Sequence, residues 1–241
     1  MIVAERKPFT EIKEMLSGYR KILILGCGTC VSVCMAGGEK EVEILASQIR
    51  MAFEKENREI EIKEATIQRQ CDREFIETIR KMAGEYEAVL SLACGAGVQF
   101  VAELLAPLLI LPGLNTRFIG VAEAEGVWSE RCRACGDCVL SETAGICPVT
   151  ICAKSLLNGP CGGTRDGKCE VDKDKDCAWT LIYRRLQEGG KLEKMRKIHP
   201  PKKHGVRIYP QRQVNEAYKK DEGQGSKVKN DKFLVDGWLG G

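Results

Sequence analysis

The sequence predicts an α/β fold, a small open parallel sheet with flanking helices, followed by a metal-stapled cysteine-rich segment. Up to about Gly126, strand-like apolar runs alternate with stretches of helical periodicity, the pattern of a parallel sheet covered on both faces. Beyond Gly126 that pattern disappears until Ala178. Between them, residues 131–177 hold 8 of the 13 cysteines among Gly, Asp and Lys, too little apolar material for a large core. A segment of that size needs a disulfide or metal staple.

The elements follow in order. Lys21 to Gly26 reads as a buried strand ending at a glycine, and Glu39 to Glu56 places Val42, Leu45, Ala46, Ile49 and Phe53 at helical spacing. Glu59 to Thr66 alternates as a second strand. A helix from about Asp72 to Met82 aligns Phe75, Ile76 and Ile79 on one face. Ala88 to Ala93 is a third strand, Val98 to Leu105 a third helix, and Phe118 to Ala122 a fourth strand. Right-handed crossovers are expected between the parallel strands. After the loop-like stretch 127–177, Trp179, Ile182, Tyr183 and Leu186 mark an amphipathic helix from Ala178 to Glu188, stopped by Gly189-Gly190. The expected division is a sheet domain over 1–126, a cysteine-rich metal-binding domain over 127–190 and a basic tail over 191–241.

Charge and composition exclude several functions. The overall charge of +3 hides a tail with 13 Lys and Arg against 6 Asp and Glu, so the rest of the chain is acidic by −4. No basic face interleaved with aromatics marks a nucleic-acid surface. The longest apolar run, Leu104 to Leu111, is interrupted by Pro107 and falls short of a membrane span of about 18 residues. The N-terminus lacks the basic and apolar regions of a secretory signal, so a cytoplasmic setting is expected. There thiols stay reduced, and the odd cysteine count also disfavours complete disulfide pairing. The tail ends in Phe233-Leu234-Val235 and Trp238-Leu239, apolar residues expected either to dock on a partner or to be a cloning remnant over 226–241.

The cysteines form two groups. Cys27-Gly-Thr-Cys30-Val-Ser-Val-Cys34 occupies the turn after the first strand and the start of the next helix, where helix amides favour anionic ligands. Cys71 follows the second strand and Cys94 the third. All five converge on the carboxyl edge of the sheet, where open α/β folds place their ligands. A 4Fe-4S cluster takes four thiolates. With strand order 2-1-3, Cys94 is the better fourth ligand, and Cys71 is the alternative.

The second group begins Cys132-Arg-Ala-Cys135-Gly-Asp-Cys138 and continues through Cys147-Pro148, Cys152, Cys161, Cys169 and Cys177. Cys-x2-Cys-x2-Cys with a later Cys-Pro approaches the bacterial ferredoxin signature, although eight residues rather than three separate Cys138 from Cys147. Zinc also accepts four thiolates at such knuckles, so eight cysteines could hold two separate centres. His199 and His204 lie in the tail and are not assigned as ligands. With both histidines there, no Cys-His or Ser-His-Asp arrangement is expected, so catalytic residues are none and the chain reads as a non-catalytic subunit.

Cys27-Gly-Thr-Cys30 with Gly37-Gly38-Glu39-Lys40, Ser91-Leu-Ala-Cys94-Gly95, and Arg131-Cys132 through Asn158-Gly-Pro-Cys161-Gly-Gly resemble the small MetV-type iron-sulfur subunits of acetogen methylenetetrahydrofolate reductases. The resemblance spans about residues 1–190. Its later half resembles the cysteine-rich C-terminal region of such reductases. The resemblance implies a 4Fe-4S cluster on Cys27, Cys30, Cys34 and Cys94, and a second cluster on the cysteines from 132 onward, with zinc as a further occupant. It also implies a flavin-containing MetF-type partner that carries FMN and reduces methylenetetrahydrofolate to methyltetrahydrofolate in the methyl branch of the Wood-Ljungdahl pathway, with a further electron-donor protein upstream. A structural zinc-binding scaffold for assembly of the reductase is the alternative function.

Overall fold

The computed structural model describes residues 1–203 and 210–218. The chain divides into two units, Met1–Pro200 and Pro201–Gly241. In the second, the described residues include a 3-10 turn at Glu216–Tyr218. His204 and the apolar residues expected near the C-terminus lie outside the described residues.

The first unit is built on two sheets. Strands β1 (Ile2–Arg6), β2 (Lys21–Cys27), β3 (Glu61–Ile67), β4 (Ala88–Leu92), β5 (Leu109–Pro112), β6 (Leu114–Ala124) and β7 (Val127–Cys132) are joined by helices α1 (Phe9–Met15), α2 (Cys30–Val33), α3 (Glu39–Lys55), α4 (Arg73–Ala83) and α5 (Gly95–Leu105). The parallel sheet has the order β3-β2-β4-β5. A separate antiparallel sheet has the order β1-β6-β7.

Side-chain alternation explains the layering. Ile22 and Ile24 of β2, with Leu90 and Leu92 of β4, face one core together with Val42, Leu45, Ala46, Ile49 and Phe53 of α3. Their neighbours Leu23, Leu25 and Val89 face the other side, against Ile76, Ile79 and Ala83 of α4 and Val101 and Leu105 of α5. Strands buried on both faces read as continuous apolar runs, which is why β2 and β4 were legible. At the start of α3, the Glu41 carboxylate accepts the Gly38 N–H at 2.9 Å. Asp72 accepts the Glu74 N–H at 3.2 Å and so caps α4 immediately after Cys71.

Two expectations change. Phe118 to Ala122 is a strand, but it belongs to β6 of the antiparallel sheet, and the fourth parallel strand is Leu109–Pro112. The stretch expected to be loop from 127 opens with six residues of strand, β7, paired to β6. The partner of β6 on its other side is β1, whose register sets Ile2 opposite Ile119, a pairing that no local pattern announces.

Beyond β7 only α6 (Pro148–Ile151) and α7 (Ala178–Glu188) are α-helical among the described residues. A small core of Ile146, Trp179, Ile182 and Leu186 joins them. The 3-10 turn Leu192–Arg196 adds Leu192 and Met195 to that core. Lys194 Nζ donates to the Ser141 carbonyl at 2.6 Å, and the Asn158 side chain bonds both backbone groups of His199 at 2.7 and 2.8 Å. Residues 191–199, assigned to the tail by their charge, are thus packed on the cysteine-rich segment. No helix among the described residues is long and apolar enough to cross a membrane.

The closest backbone approach in this unit lies behind the first cysteine loop. A Cβ on Gly37 would stand 2.1 Å from the Leu92 carbonyl oxygen, and the Gly37 carbonyl accepts the Cys27 N–H at 2.8 Å. Gly84, at φ −64° and ψ −9°, has nothing nearer than 3.6 Å. Thermal unfolding should therefore show Gly37→Ala destabilised toward or beyond the upper end of about 1–3 kcal/mol. Gly84→Ala should be stabilised by about 0.4–1 kcal/mol. Equal stability of the two variants would contradict this packing.

Candidate metal centre

The parallel strands deliver four of the five early cysteines to one edge. Cys27 is the last residue of β2 and is buried, Cys30 opens α2, Cys71 lies between β3 and α4, and Cys94 is the residue before α5. The loop after Cys27 is held from two sides, because Gly28 N–H donates to the Ile67 carbonyl at 2.9 Å while Cys27 N–H is taken by Gly37. Cys27 Sγ lies 3.9 Å from both the Thr29 hydroxyl and the Gln68 carbonyl. The start of α5 is fixed by the antiparallel sheet, where Thr116 Oγ1 of β6 accepts the Gly95 N–H at 2.8 Å.

Gln70 organises this edge from beneath. Its side chain is fully buried; Nε2 donates to the Leu25 carbonyl at 2.8 Å, and Oε1 accepts the Ser91 hydroxyl at 2.6 Å. Leu25 and Ser91 are register partners on β2 and β4. One amide therefore ties the loop carrying Cys71 to the two strands that lead to Cys27 and Cys94. Sequence reasoning missed this residue, because Gln68-Arg69-Gln70 reads as an ordinary polar loop and only tertiary packing buries the third member.

The thiols differ in their electrostatics. Cys71 is exposed as a residue, yet crowding at its sulfur raises its pKa, and repulsion from Cys27 and Cys94 raises it further. Cys71 is thus near enough to Cys27 and Cys94 to sense their charge. A bound cation would reverse that repulsion and favour all three thiolates. Cys34, at the end of α2, lies within electrostatic reach of Cys30. Burial raises its pKa, and Cys30 and Glu41 add to the rise while the Ala4 amide opposes it. Its sulfur sits 3.3 Å from the Ala4 carbonyl, 3.5 Å from the Val31 carbonyl and 3.5 Å from the Ala4 N–H. Two carbonyl oxygens at that range suit an S–H donor and repel a thiolate. The Cys34 sulfur thus links α2 to β1 in the core.

The later cysteines lie in turns and at the ends of elements, and of them Cys152 and Cys177 pack against the small core. Cys132 ends β7 and is exposed; its sulfur accepts the Ala134 N–H at 3.3 Å, and Cys135 donates to the Asp137 carbonyl at 3.5 Å. Ala134 and Gly136 have φ of 50° and 80°, so alternate residues of this knuckle turn left-handed. Cys138 is exposed, and Cys147 precedes α6, which packs against β7. Cys152 follows α6 and Cys177 precedes α7. Burial opposes ionisation of Cys177, but the Thr180 amide and hydroxyl, the Trp179 amide and the Thr164 hydroxyl outweigh it and lower its pKa. Cys161 donates to Glu170 at 3.3 Å, and Glu170 also pairs with Lys154.

All thirteen cysteines are free thiols. Among the described residues, no three His, Cys, Asp or Glu side chains meet at one point at metal-holding distance. The donor sets are nonetheless of the type thiophilic metals take: Cys71 lies close enough to Cys27 and Cys94 to sense them, and the eight later cysteines, at element ends and in turns, are free thiols.

Replacing Gln70 tests the shared clamp. Gln70→Ala leaves the Leu25 carbonyl and Ser91 hydroxyl buried without this partner and should cost about 1–3 kcal/mol. Alkylation of Cys71 in the folded protein should accelerate. Unchanged stability in denaturant, with unchanged Cys71 reactivity, would contradict the role.

No curated protein and no solved structure matches the chain. Residues 111–205, which run from the end of β5 through the whole cysteine-rich segment and α7, match the model of a family described as methylene-tetrahydrofolate reductase C terminal, and this relates that part of the chain to methylenetetrahydrofolate reductases.

Proposed function

We propose that the chain is an iron-sulfur electron-transfer subunit of a methylenetetrahydrofolate reductase, delivering electrons to a flavin-containing partner of the MetF type. The observation that carries this reading is the convergence of Cys27, Cys71 and Cys94 on the carboxyl edge of the parallel sheet, with Cys30 in the same loop system. The family match over 111–205 supports the association with the reductase.

In this reading Cys27, Cys30, Cys71 and Cys94 hold a 4Fe-4S cluster, which when bound supplies reversible one-electron storage. The chain's own part is positional. Gln70 sets the Cys71 loop against β2 and β4, Gly37 and Ile67 carbonyls fix the Cys27 loop, and Cys94 stands at the start of α5. Cys34 stays in the core, bonded to β1, outside this ligand set. The cysteines from 132 onward hold a second metal centre. The flavin, an FMN, belongs to the partner, which binds the folate and performs its reduction to methyltetrahydrofolate in the methyl branch of the Wood-Ljungdahl pathway. Such a subunit operates in the cytoplasm, where its thiols remain reduced.

Anaerobically purified protein should contain iron and acid-labile sulfide and give an electron paramagnetic resonance signal after dithionite. Cys71→Ser should remove about four iron atoms, the content of one 4Fe-4S cluster. Cys34→Ala should retain them, at a cost in stability only. Protein with zinc and no iron would overturn the relay reading. Loss of iron in Cys34→Ala, with retention in Cys71→Ser, would instead restore Cys34 as the ligand.

A further inference from the structure

The stretch from Arg184 to His199 carries six Lys and Arg against two Glu, yet it is not a solvated extension. Lys191 N–H donates to the Leu186 carbonyl at 2.8 Å, which turns the chain back from the end of α7, and Leu192 and Met195 pack on the small core. Lys194 Nζ is tied to the Ser141 carbonyl, and Lys197 Nζ pairs with Glu142 at 2.7 Å. Two bonds from the Asn158 side chain clamp the backbone of His199. Ile198 stands between these anchors, and it is 74% exposed. A single exposed apolar side chain on a loose segment needs no explanation. This one is held outward by chain fixed on both sides, with exposed Lys191 and Arg196 in the same short segment.

We infer that residues 191–199 form a docking surface for an acidic patch on a partner protein, with Ile198 as the apolar anchor and Lys191 and Arg196 as the charged rim. The partner is the flavin-containing subunit of the proposed function. Charge selects the occupant, because a cation-rich surface takes carboxylates, and attraction between opposite patches steers their encounter and weakens with salt. The anchored backbone lowers the cost of binding, since the ordering that a loose segment undergoes on docking is already complete. Position supports the choice of partner: the segment lies inside residues 111–205, which match the reductase C-terminal family. A lipid surface fits less well. Leu192 and Met195 face inward, so Ile198 is left without an apolar stripe to enter a bilayer. A single-stranded nucleic acid would take stacking aromatics beside the cations, and residues 191–199 contain no Phe, Tyr or Trp. A second copy would have to offer a different, acidic surface, a head-to-tail contact that runs on from copy to copy unless it closes into a ring.

The surface rests on the partner of the proposed function, and one titration separates the two. Binding of the whole chain, purified anaerobically, to the separately purified flavoprotein is measured over a range of salt concentrations. The unaltered chain should bind, and bind more weakly as salt rises. Lys191→Glu combined with Arg196→Glu should weaken binding at low salt by about tenfold or more and flatten its salt dependence. Ile198→Ser should weaken it by about tenfold at every salt concentration. Lys81→Glu, a charge reversal at an exposed position of α4, should bind like the unaltered chain. All these positions are exposed, so thermal unfolding should stay the same and show that each variant is folded. Unaltered affinity in both the double reversal and Ile198→Ser would overturn the surface and leave the partner reading standing. A failure of the unaltered chain to bind at any salt concentration would overturn both. An equal loss in Lys81→Glu would reduce the effect to net charge and sink the surface. Capture of the unaltered chain, but not of the variants, by vesicles of anionic phospholipid would reassign the segment to a membrane. Salt-sensitive self-association that the variants lose would reassign it to a second copy, and either result contradicts the inference.

Discussion

Parallel strands must all be left at the same edge, and nearly everything about the first cysteine group depends on that constraint. β2, β3 and β4 run side by side in one direction, so the residues that follow them are neighbours however far apart they lie in the chain. Cys27, Cys71 and Cys94 need no special loop to find one another. The buried Gln70 amide adds a further tie by holding the middle loop to the two central strands. The helices behind the sheet serve the same end, since apolar faces on both sides keep β2 and β4 in register.

The second group has a different basis. Its turns carry left-handed residues at Ala134, Gly136, Ala144, Gly145, Ser155, Gly159, Gly162, Asp166 and Gly167, and its core rests on Ile146, Trp179, Ile182 and Leu186. A region with so many turns and so small a core has little to oppose the entropy of its loops. Ligation by thiolates couples directly to folding in such a segment. The sheet, in contrast, has cores on both faces and a fold that its apolar pattern alone specifies.

The amino-acid pattern revealed the central strands and the helices α3, α4 and α7, because each has either a continuous apolar run or a clean amphipathic stripe. It also indicated the edge at which the cysteines gather, while the order β3-β2-β4, assumed in weighing Cys94 against Cys71, comes from the structure. It did not reveal β1, a five-residue strand whose partner lies more than a hundred positions away, or assign Leu109–Pro112 to the parallel sheet. The spacing Cys27-x2-Cys30-x3-Cys34 reads as a triplet, yet α2 is one turn long and directs Cys34 toward β1, a contact invisible without tertiary structure. Gln70 was hidden for the same reason, since burial of a polar loop residue leaves no local trace.

The β6–β7 hairpin has a consequence for distance. Thr116 of β6 touches the first residue of α5, next to Cys94, while Cys132 at the end of β7 stands opposite Ile119 of the same β6 strand. Three residues of strand separate Thr116 from Ile119, about 10 Å at roughly 3.4 Å per residue. The chain travels out along one strand and back along the next, so the two thiol groups meet at the near end of the hairpin instead of its far tip. Backbone pairing thereby acts as a spacer between Cys94 and Cys132.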